Sequence, residues 1–306
     1  MIKYHIACIA VLICASVTSP AETQENDSPV LEGPYLGQNP PGTRPEVFGP
    51  GVISVEENFE HSAAVFSPDG TEVFWCTNVD WYNERKQPGM LRLYFMKMLD
   101  GKWSEPARAP FVDNLDIQRP TFSPCGKWLF FEYFADPDNP DNVDIFVVAR
   151  KGDSWSDPEP VSPLINTSGI ERIQCFAADG SFYFSRNPFS PREEMFVAKW
   201  KEGRFSPPEK LGEAFNSDVS EYALVIGPND DYMVICQQAA HASPNVFVSY
   251  KNADGTWSDR IETPYYSGGF LALSPDGRYL FIENEGINWV STSFINDLRP
   301  KRGSNN

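Results

Sequence analysis

At 306 residues, with 25 Lys and Arg against 42 Asp and Glu for a net charge of -17, the chain has room for one large domain or two small ones. It lacks the clustered positive charge that replaces counterions on a nucleic acid, so DNA and RNA are excluded as expected partners. Twenty-seven prolines and recurrent aromatic and turn residues disfavour long helices, coiled coils and collagen, and favour an all-β chain.

Residues 1–21 read as a secretory signal: Lys3, an apolar run from Ile6 to Val17, then Thr18-Ser19-Pro20-Ala21 with small residues before the cleavage point. That run is too short for a hydrocarbon core needing about 20 residues, so an exported, periplasmic or extracellular protein with no transmembrane segment is expected. Ile13 before Cys14 argues against a lipoprotein signal. Residues 22–42 form a Pro/Gly-rich lead.

Beyond the signal only His61 and His241 remain, with Cys76, Cys125, Cys175 and Cys236. Neither Cys-x-x-Cys nor His-Glu-x-x-His spacing occurs, so no zinc site is expected. Four cysteines allow three pairings, and free buried thiols are the expectation.

From residue 43 one unit recurs, marked by Ser67-Pro68-Asp69-Gly70, Ser123-Pro124-Cys125-Gly126, Ala177-Ala178-Asp179-Gly180, Gly227-Pro228-Asn229-Asp230 and Ser274-Pro275-Asp276-Gly277, at intervals of 56, 54, 50 and 47 residues. Each marker is a tight turn, in which Pro presets φ, Asp bonds its own backbone and Gly accepts positive φ. An apolar strand precedes each turn, and an aromatic one follows, such as Val73-Phe74-Trp75 or Leu129-Phe130-Phe131. Continuous apolar runs predict strands covered on both faces. A third strand follows, such as Ile145-Phe146-Val147, and a fourth opens at Trp103-Ser104-Glu105-Pro106, Trp155-Ser156-Asp157-Pro158, Phe205-Ser206-Pro207-Pro208 and Trp257-Ser258-Asp259. The last unit has no such segment after Trp289. Its counterpart is Thr43-Arg44-Pro45-Glu46-Val47-Phe48-Gly49-Pro50, which parallels Ser156 to Pro163. A period of about 50 residues with four short strands predicts a five-bladed β-propeller over residues 43–298, closed by an N-terminal strand, with a short tail over 299–306. Six blades is the alternative, and would need a further marker turn.

The Ser-Pro-Asp-Gly turn followed by an aromatic strand, then Asp144-Ile145-Phe146 or Asn245-Val246-Phe247, resembles the WD40-like β-propeller repeat proteins of the TolB type. The resemblance covers about residues 43 to 296. It departs from TolB itself, which carries an additional N-terminal domain and six blades. It implies a scaffold that binds proteins or small ligands, and names no activity.

In a propeller the loops entering the first strand and leaving the second share one face, the candidate binding face. Aligning units on the marker places His61, Gln118, Glu171, Arg172, Glu221 and Tyr222 at the channel mouth, with Glu60 and Arg119 one step away. Nine residues after each marker begins stand Cys76, Glu132, Arg186, Cys236 and Glu283. Charges at strand ends must pair, face channel water or hold a ligand, so a ring of structural ion pairs and a ligand pocket both remain open. Trp81, Tyr82, Tyr133, Phe189, Phe215, Tyr265 and Tyr266 lie in adjoining loops, suited to sugar rings or peptide. The expected role is a monomer binding a protein, peptide or glycan at the channel mouth, without catalysis or cofactor. The alternative is a glycan-active enzyme using two rim glutamates, whose separation would set its stereochemistry. Arg119, Arg172 and Arg186 would suit a carboxylate ligand. However, Asn252 to Trp257 misses the sialidase Asp-box spacing, and no Gly-x-Ser-x-Gly elbow is present. The acidic run from Asp136 to Asp144 offers oxygens for calcium but fails the EF-hand pattern, and reads first as a solvated loop. Asn26-Asp27-Ser28 and Asn166-Thr167-Ser168 are glycosylation sequons.

Overall fold

The computed structural model describes residues 31–78, 91–112, 116–134, 143–187, 193–201, 203–238 and 244–300. They form an all-β fold of antiparallel meanders, each running outward from a first strand to a fourth.

The first meander comprises β2 (Phe59–Glu60) and β3 (Val65–Phe66), then β4 (Glu72–Asn78), β5 (Leu91–Leu99), and the paired stubs β6 (Lys102–Trp103) and β7 (Ala107–Arg108). The second runs β8 (Ile117–Phe122), β9 (Trp128–Phe134), β10 (Val143–Lys151), β11 (Ser154–Trp155) and β12 (Glu159–Pro160). The third runs β13 (Ile170–Phe176), β14 (Ser181–Asn187), β15 (Glu194–Lys201), β16 (Arg204–Phe205) and β17 (Glu209–Lys210). A single parallel bridge, Val143 to Ile170, joins the second and third into one ten-stranded sheet. The fourth is β18 (Ser220–Ile226), β19 (Tyr232–Gln238), β20 (Asn245–Tyr250) and β21 (Ile261–Tyr266). The last is β22 (Leu271–Leu273), β23 (Tyr279–Glu283) and β24 (Ile287–Ser291), with β1 (Glu46–Val47) as its outer strand.

The marker turns behave as their chemistry dictates. Ser67 Oγ donates to Asp69 Oδ1 at 2.6 Å, the Gly70 N–H reaches Ser67 O at 2.8 Å, and Gly70 takes a φ of 73°. Ser274, Asp276 and Gly277 repeat the arrangement. In the fourth marker Asp230 takes that left-handed position with φ 56°, a conformation Asp tolerates better than most residues.

The Trp-Ser-x-Pro segments break the fourth strand rather than open a continuous one. The Ser104 N–H donates to Lys97 O while Ser104 Oγ accepts the Lys97 N–H at 3.1 Å, so one residue closes both ends of the pair before Pro106 interrupts the ladder. Ser156, Ser206 and Ser258 do the same for Ala149, Lys199 and Tyr250.

All seven residues of β4 are buried, as a strand sandwiched between neighbouring meanders requires. The core accordingly lies between meanders: Phe74 packs with Phe122 and Phe131, while Phe130 packs with Phe182 and Phe205. The short helix α1 (Ser293–Leu298) buries Phe294 and Ile295, and Tyr250 donates its hydroxyl to Ile295 O.

The N-terminal segment completes the last meander, as the sequence parallel predicts. Glu46 pairs with Trp289 and Val47 with Asn288, and the Phe48 N–H donates to Ile287 O at 2.8 Å. Phe48 is fully buried among Phe66, Phe281 and Trp289, which ties the first meander to the last. Part of the lead packs here too. Trp103 Nε1 donates to Gly33 O, and Tyr35 stacks edge-on against Phe66 and Tyr279.

Because Phe48 carries that junction, Phe48→Ala is expected to cost about 3–5 kcal/mol, the range for a buried aromatic truncation. Denaturant unfolding of the full chain measures it; a loss below about 1 kcal/mol would show the junction to be dispensable.

Candidate functional site

The first strands of all the meanders line one axial cavity of about 280 Å³, the arrangement of a β-propeller. It occupies the half of the axis that leads to the marker turns. Val65, Phe122, Cys175, Val225 and Leu273 form its walls, Pro68, Pro124, Pro228 and Pro275 stand at its outer end, and Arg119 and Phe270 close its inner end. The cavity is therefore mostly apolar, and it lies on the side opposite the one favoured by the sequence.

A charged layer stands at the other end, built from residues that strand alternation turns inward. Glu132, at the end of β9, is wholly buried. Its Oε2 accepts from Gln118 Nε2 at 2.8 Å and Arg172 at 3.3 Å, and its Oε1 accepts the Ile173 N–H at 2.8 Å. Arg119 Nε lies 3.2 Å from Oε1 without hydrogen-bond alignment. Burial raises the proton affinity of Glu132, and the two guanidinium groups oppose it. Arg172 also bonds Glu193 at 2.9 Å, which in turn accepts from Ser185.

Arg119 reaches furthest. Its backbone takes a left-handed φ of 51°, rare for a residue with a Cβ, within a bulge where β8 slips register against β9. Its guanidinium then lies 4.3 Å over the Phe270 ring and donates to Tyr222 O and Gly269 O, so a side chain of the second meander bonds the fourth and last.

The remaining rim glutamates divide into two groups. Glu171 accepts from the Thr167 N–H and hydroxyl and faces Arg186 at 3.3 Å; Arg186 is spent further on Leu164 O and Ile165 O. Glu221 accepts the Ser217 N–H and pairs with Arg260 at 3.0 Å. Both sit in one recurring device, Asn-Thr/Ser-x-x-x-Glu. Asn166 and Asn216 clasp both backbone groups of Ile145 and Met195, and the Glu four residues past each clasp's neighbour caps the same loop. The Asn166 amide of the sequon is thus engaged within the fold.

Glu60 and Glu283 have no such cation. The Glu60 carboxylate accepts the Val55 N–H at 3.1 Å, and burial raises its pKa. Glu283 makes no ion pair or side-chain hydrogen bond among the described residues. Burial, reinforced by the Glu60 charge and only partly offset by Arg119, pushes it up to about 7. Its carboxylate packs where a Cβ on Gly268 would sit, so Gly268 makes room for it. His61 is half-buried next to Phe270 and held down to about 4 by desolvation and by Arg119, leaving a neutral imidazole.

Gln118, Arg119, Glu132 and Arg172 are thus brought together in one network, Glu171 and Arg186 in a second, while His61 and Glu283 border the first through Arg119 and Glu60 stands beside Glu283. Tyr222 is more than a third exposed. Among the loop aromatics, Phe215 is core, Tyr265 donates to Thr43 O, and Tyr266 is exposed. Trp81, Tyr82, Phe189, His241 and residues 136–142 of the acidic run lie outside the described residues. Among the described residues no cluster of three His, Cys, Asp or Glu is placed to hold a metal ion. Cys76, Cys125, Cys175 and Cys236 are free thiols, and burial pushes those of Cys175 and Cys236 up to about 12.

Sequence reading missed Glu193 and Arg260. Arg260 carries a legible signal, because it stands where the equivalent segments of the first three units have Pro106, Pro158 and Pro208. Glu193 follows a loop of irregular length and carries none.

Removing the Glu132 charge leaves Arg119 without its counterion and Arg172 with Glu193 alone, so Glu132→Gln is expected to cost about 3–5 kcal/mol in denaturant unfolding. Glu283 gives a pH signature. Its folded pKa of about 7 exceeds the ordinary 4.5, so its share of stability is full below about 4.5 and lost as pH rises towards 7. His61, lowered from 6.5 to about 4, acts oppositely and loses stability as pH falls through that window. Stability of Glu283→Gln relative to wild type should therefore increase between about pH 4.5 and 7; a pH-independent difference would contradict the burial of an unpaired Glu283.

No family model and no curated protein matches the chain. Among solved structures it is similar to TolB from Acinetobacter baumannii, with TM-score 0.49 and 15% identity over 75% of this chain and 51% of that one, so it spans about half the length of that protein. It is also similar to a putative TolB from Agrobacterium tumefaciens, with TM-score 0.47 and 16% identity over 71% of this chain and 72% of that one. A protein of unknown function from Dyadobacter fermentans gives TM-score 0.48 and 15% identity over 79% and 78%. The solved structures to which this chain is similar are TolB-like β-propeller proteins and related propellers.

Proposed function

We propose that the chain is an exported, five-bladed β-propeller that binds a protein or peptide segment at its axis and performs no catalysis. The observation that carries this reading is the axial cavity of about 280 Å³, walled by apolar side chains and open towards the marker turns. Such walls suit an apolar side chain presented by a partner, the usual anchor of a protein interface. Support for five blades comes from the first strands that share the cavity and from the β1–β24 pairing that closes the set without a further marker turn.

The charged layer supports the same reading by what it withholds. Glu132, Glu171 and Glu221 already have cations, so the carboxylate-binding potential of Arg119, Arg172 and Arg186 is spent internally. Tyr222, more than a third exposed, is the part of the opposite mouth left for a partner. The signal segment at residues 1–21 supports a periplasmic or extracellular location.

One observation favours a second reading, that of a glycan-active enzyme. Glu283, at about 7 and without a cation, has the protonation behaviour of a general acid, and Glu60 is the carboxylate beside it.

A partner captured from the source's exported proteins should bind wild type and lose binding to Ala178→Trp, which fills the cavity mouth from an exposed turn position, with unchanged thermal stability. A panel of glycans should show no turnover. Hydrolysis of any glycan that Glu283→Gln or Glu60→Gln abolishes would replace this reading with the enzymatic one.

A further inference from the structure

A second cavity, of about 260 Å³, lies away from the axial one, between the segment that precedes β1 and the ends of β21 and β23. Arg44, Pro264, Tyr266, Asn284 and Asn288 surround it, with buried Ile282 beneath. Tyr266 is 52% exposed and presents a flat aromatic face.

The polar groups around that ring are uncommitted. Asn288 Nδ2 donates to Asn284 O at 2.7 Å and to Gly286 O at 3.3 Å, which fixes the amide and leaves its Oδ1 as an acceptor. The Asn284 amide, the Tyr266 hydroxyl and the Arg44 guanidinium make no hydrogen bond or ion pair among the described residues.

We propose that this cavity is a subsite for an acidic sugar, a uronic-acid residue carried at the end of a glycan. The carboxylate takes the planar fork of Arg44, the apolar face of the pyranose ring lies on Tyr266, and ring hydroxyls bond the Asn284 and Asn288 amides. The volume fits this class: it falls just below the roughly 300–1,000 Å³ of sites for drug-sized ligands and takes one or two sugar rings. The site goes beyond the axial binding role and shares no residue with the axial cavity.

The position of Arg44 adds a consequence. Thr43 O accepts the Tyr265 hydroxyl at 2.8 Å and Gly42 O accepts the Ser291 N–H at 2.9 Å, so Arg44 is delivered by the same segment that completes the last meander. A ligand held between Arg44 and Asn284 binds only when that segment is docked, and therefore raises the unfolding temperature.

The test titrates the full chain with digalacturonic acid, galacturonic acid, galactose and acetate, read by ligand-observed NMR and thermal unfolding. Digalacturonic acid should saturate and raise Tm, with galactose and acetate weaker by about tenfold or more. Arg44→Ala and Tyr266→Ala, both at exposed side chains, should keep the ligand-free Tm and each lose about tenfold in affinity. Failure of either uronate to saturate by about 10 mM, unchanged affinity in both variants, or acetate binding as tightly as the uronates would overturn the proposal. Ala178→Trp should leave uronate binding intact, which separates failure of this site from failure of the axial one.

Discussion

A carboxylate with no exposure to water must be neutralised where it stands, and Glu132 is that carboxylate. It can be buried because Gln118 and Arg119 approach from its own meander and Arg172 and the Ile173 N–H from the next. Arg119 in turn must satisfy its remaining donors, and does so on Tyr222 O and Gly269 O across the axis. One buried charge therefore dictates contacts among four meanders. The bulge in β8 has counterparts in β13 and β18, and at Arg119 its left-handed backbone accompanies a guanidinium that reaches across the axis.

The apolar half of the structure solves a complementary problem. Each second strand is covered on both faces, so its aromatic residues pack against the meanders on either side, and the last meander must find the first. Phe48 and β1 achieve this by supplying both the missing outer strand and a ring that touches Phe66, Phe281 and Trp289. The resulting scaffold leaves two spaces: one where the first strands diverge towards the marker turns, and one where the N-terminal segment meets β21 and β23.

Much of the fold was legible because it is written in local, repeated chemistry. Ser-Pro-Asp-Gly is a turn by its own side-chain bonds, Trp-Ser-x-Pro interrupts a ladder by its own hydroxyl and missing N–H, and Thr43 to Pro50 repeats the pattern of Ser156 to Pro163. The charged layer was legible as a location but not as a set of pairs. Alignment on the marker places Glu132, Arg172 and Arg186 at one end of the strands, yet which arginine neutralises which glutamate depends on strand twist and on the Arg119 bulge, neither of which has a local sequence signature. The side of the axis that stays open was likewise hidden, because it depends on Arg119 and Phe270 meeting from meanders some 150 residues apart. Arg44 and Asn284, still further apart in the chain, could be associated only once β1 was seen on β24.

The buried charge at Glu132 and the N-terminal closure are expected to unfold as one cooperative unit. Native-state hydrogen exchange tests it at two amides, Ile173, which donates to Glu132, and Phe48, which donates to Ile287. Both should exchange only through global unfolding, at the free energy measured by denaturant. Exchange of Phe48 through a much smaller opening, with Ile173 still protected, would contradict the claim and show the closing strand to be a separable attachment.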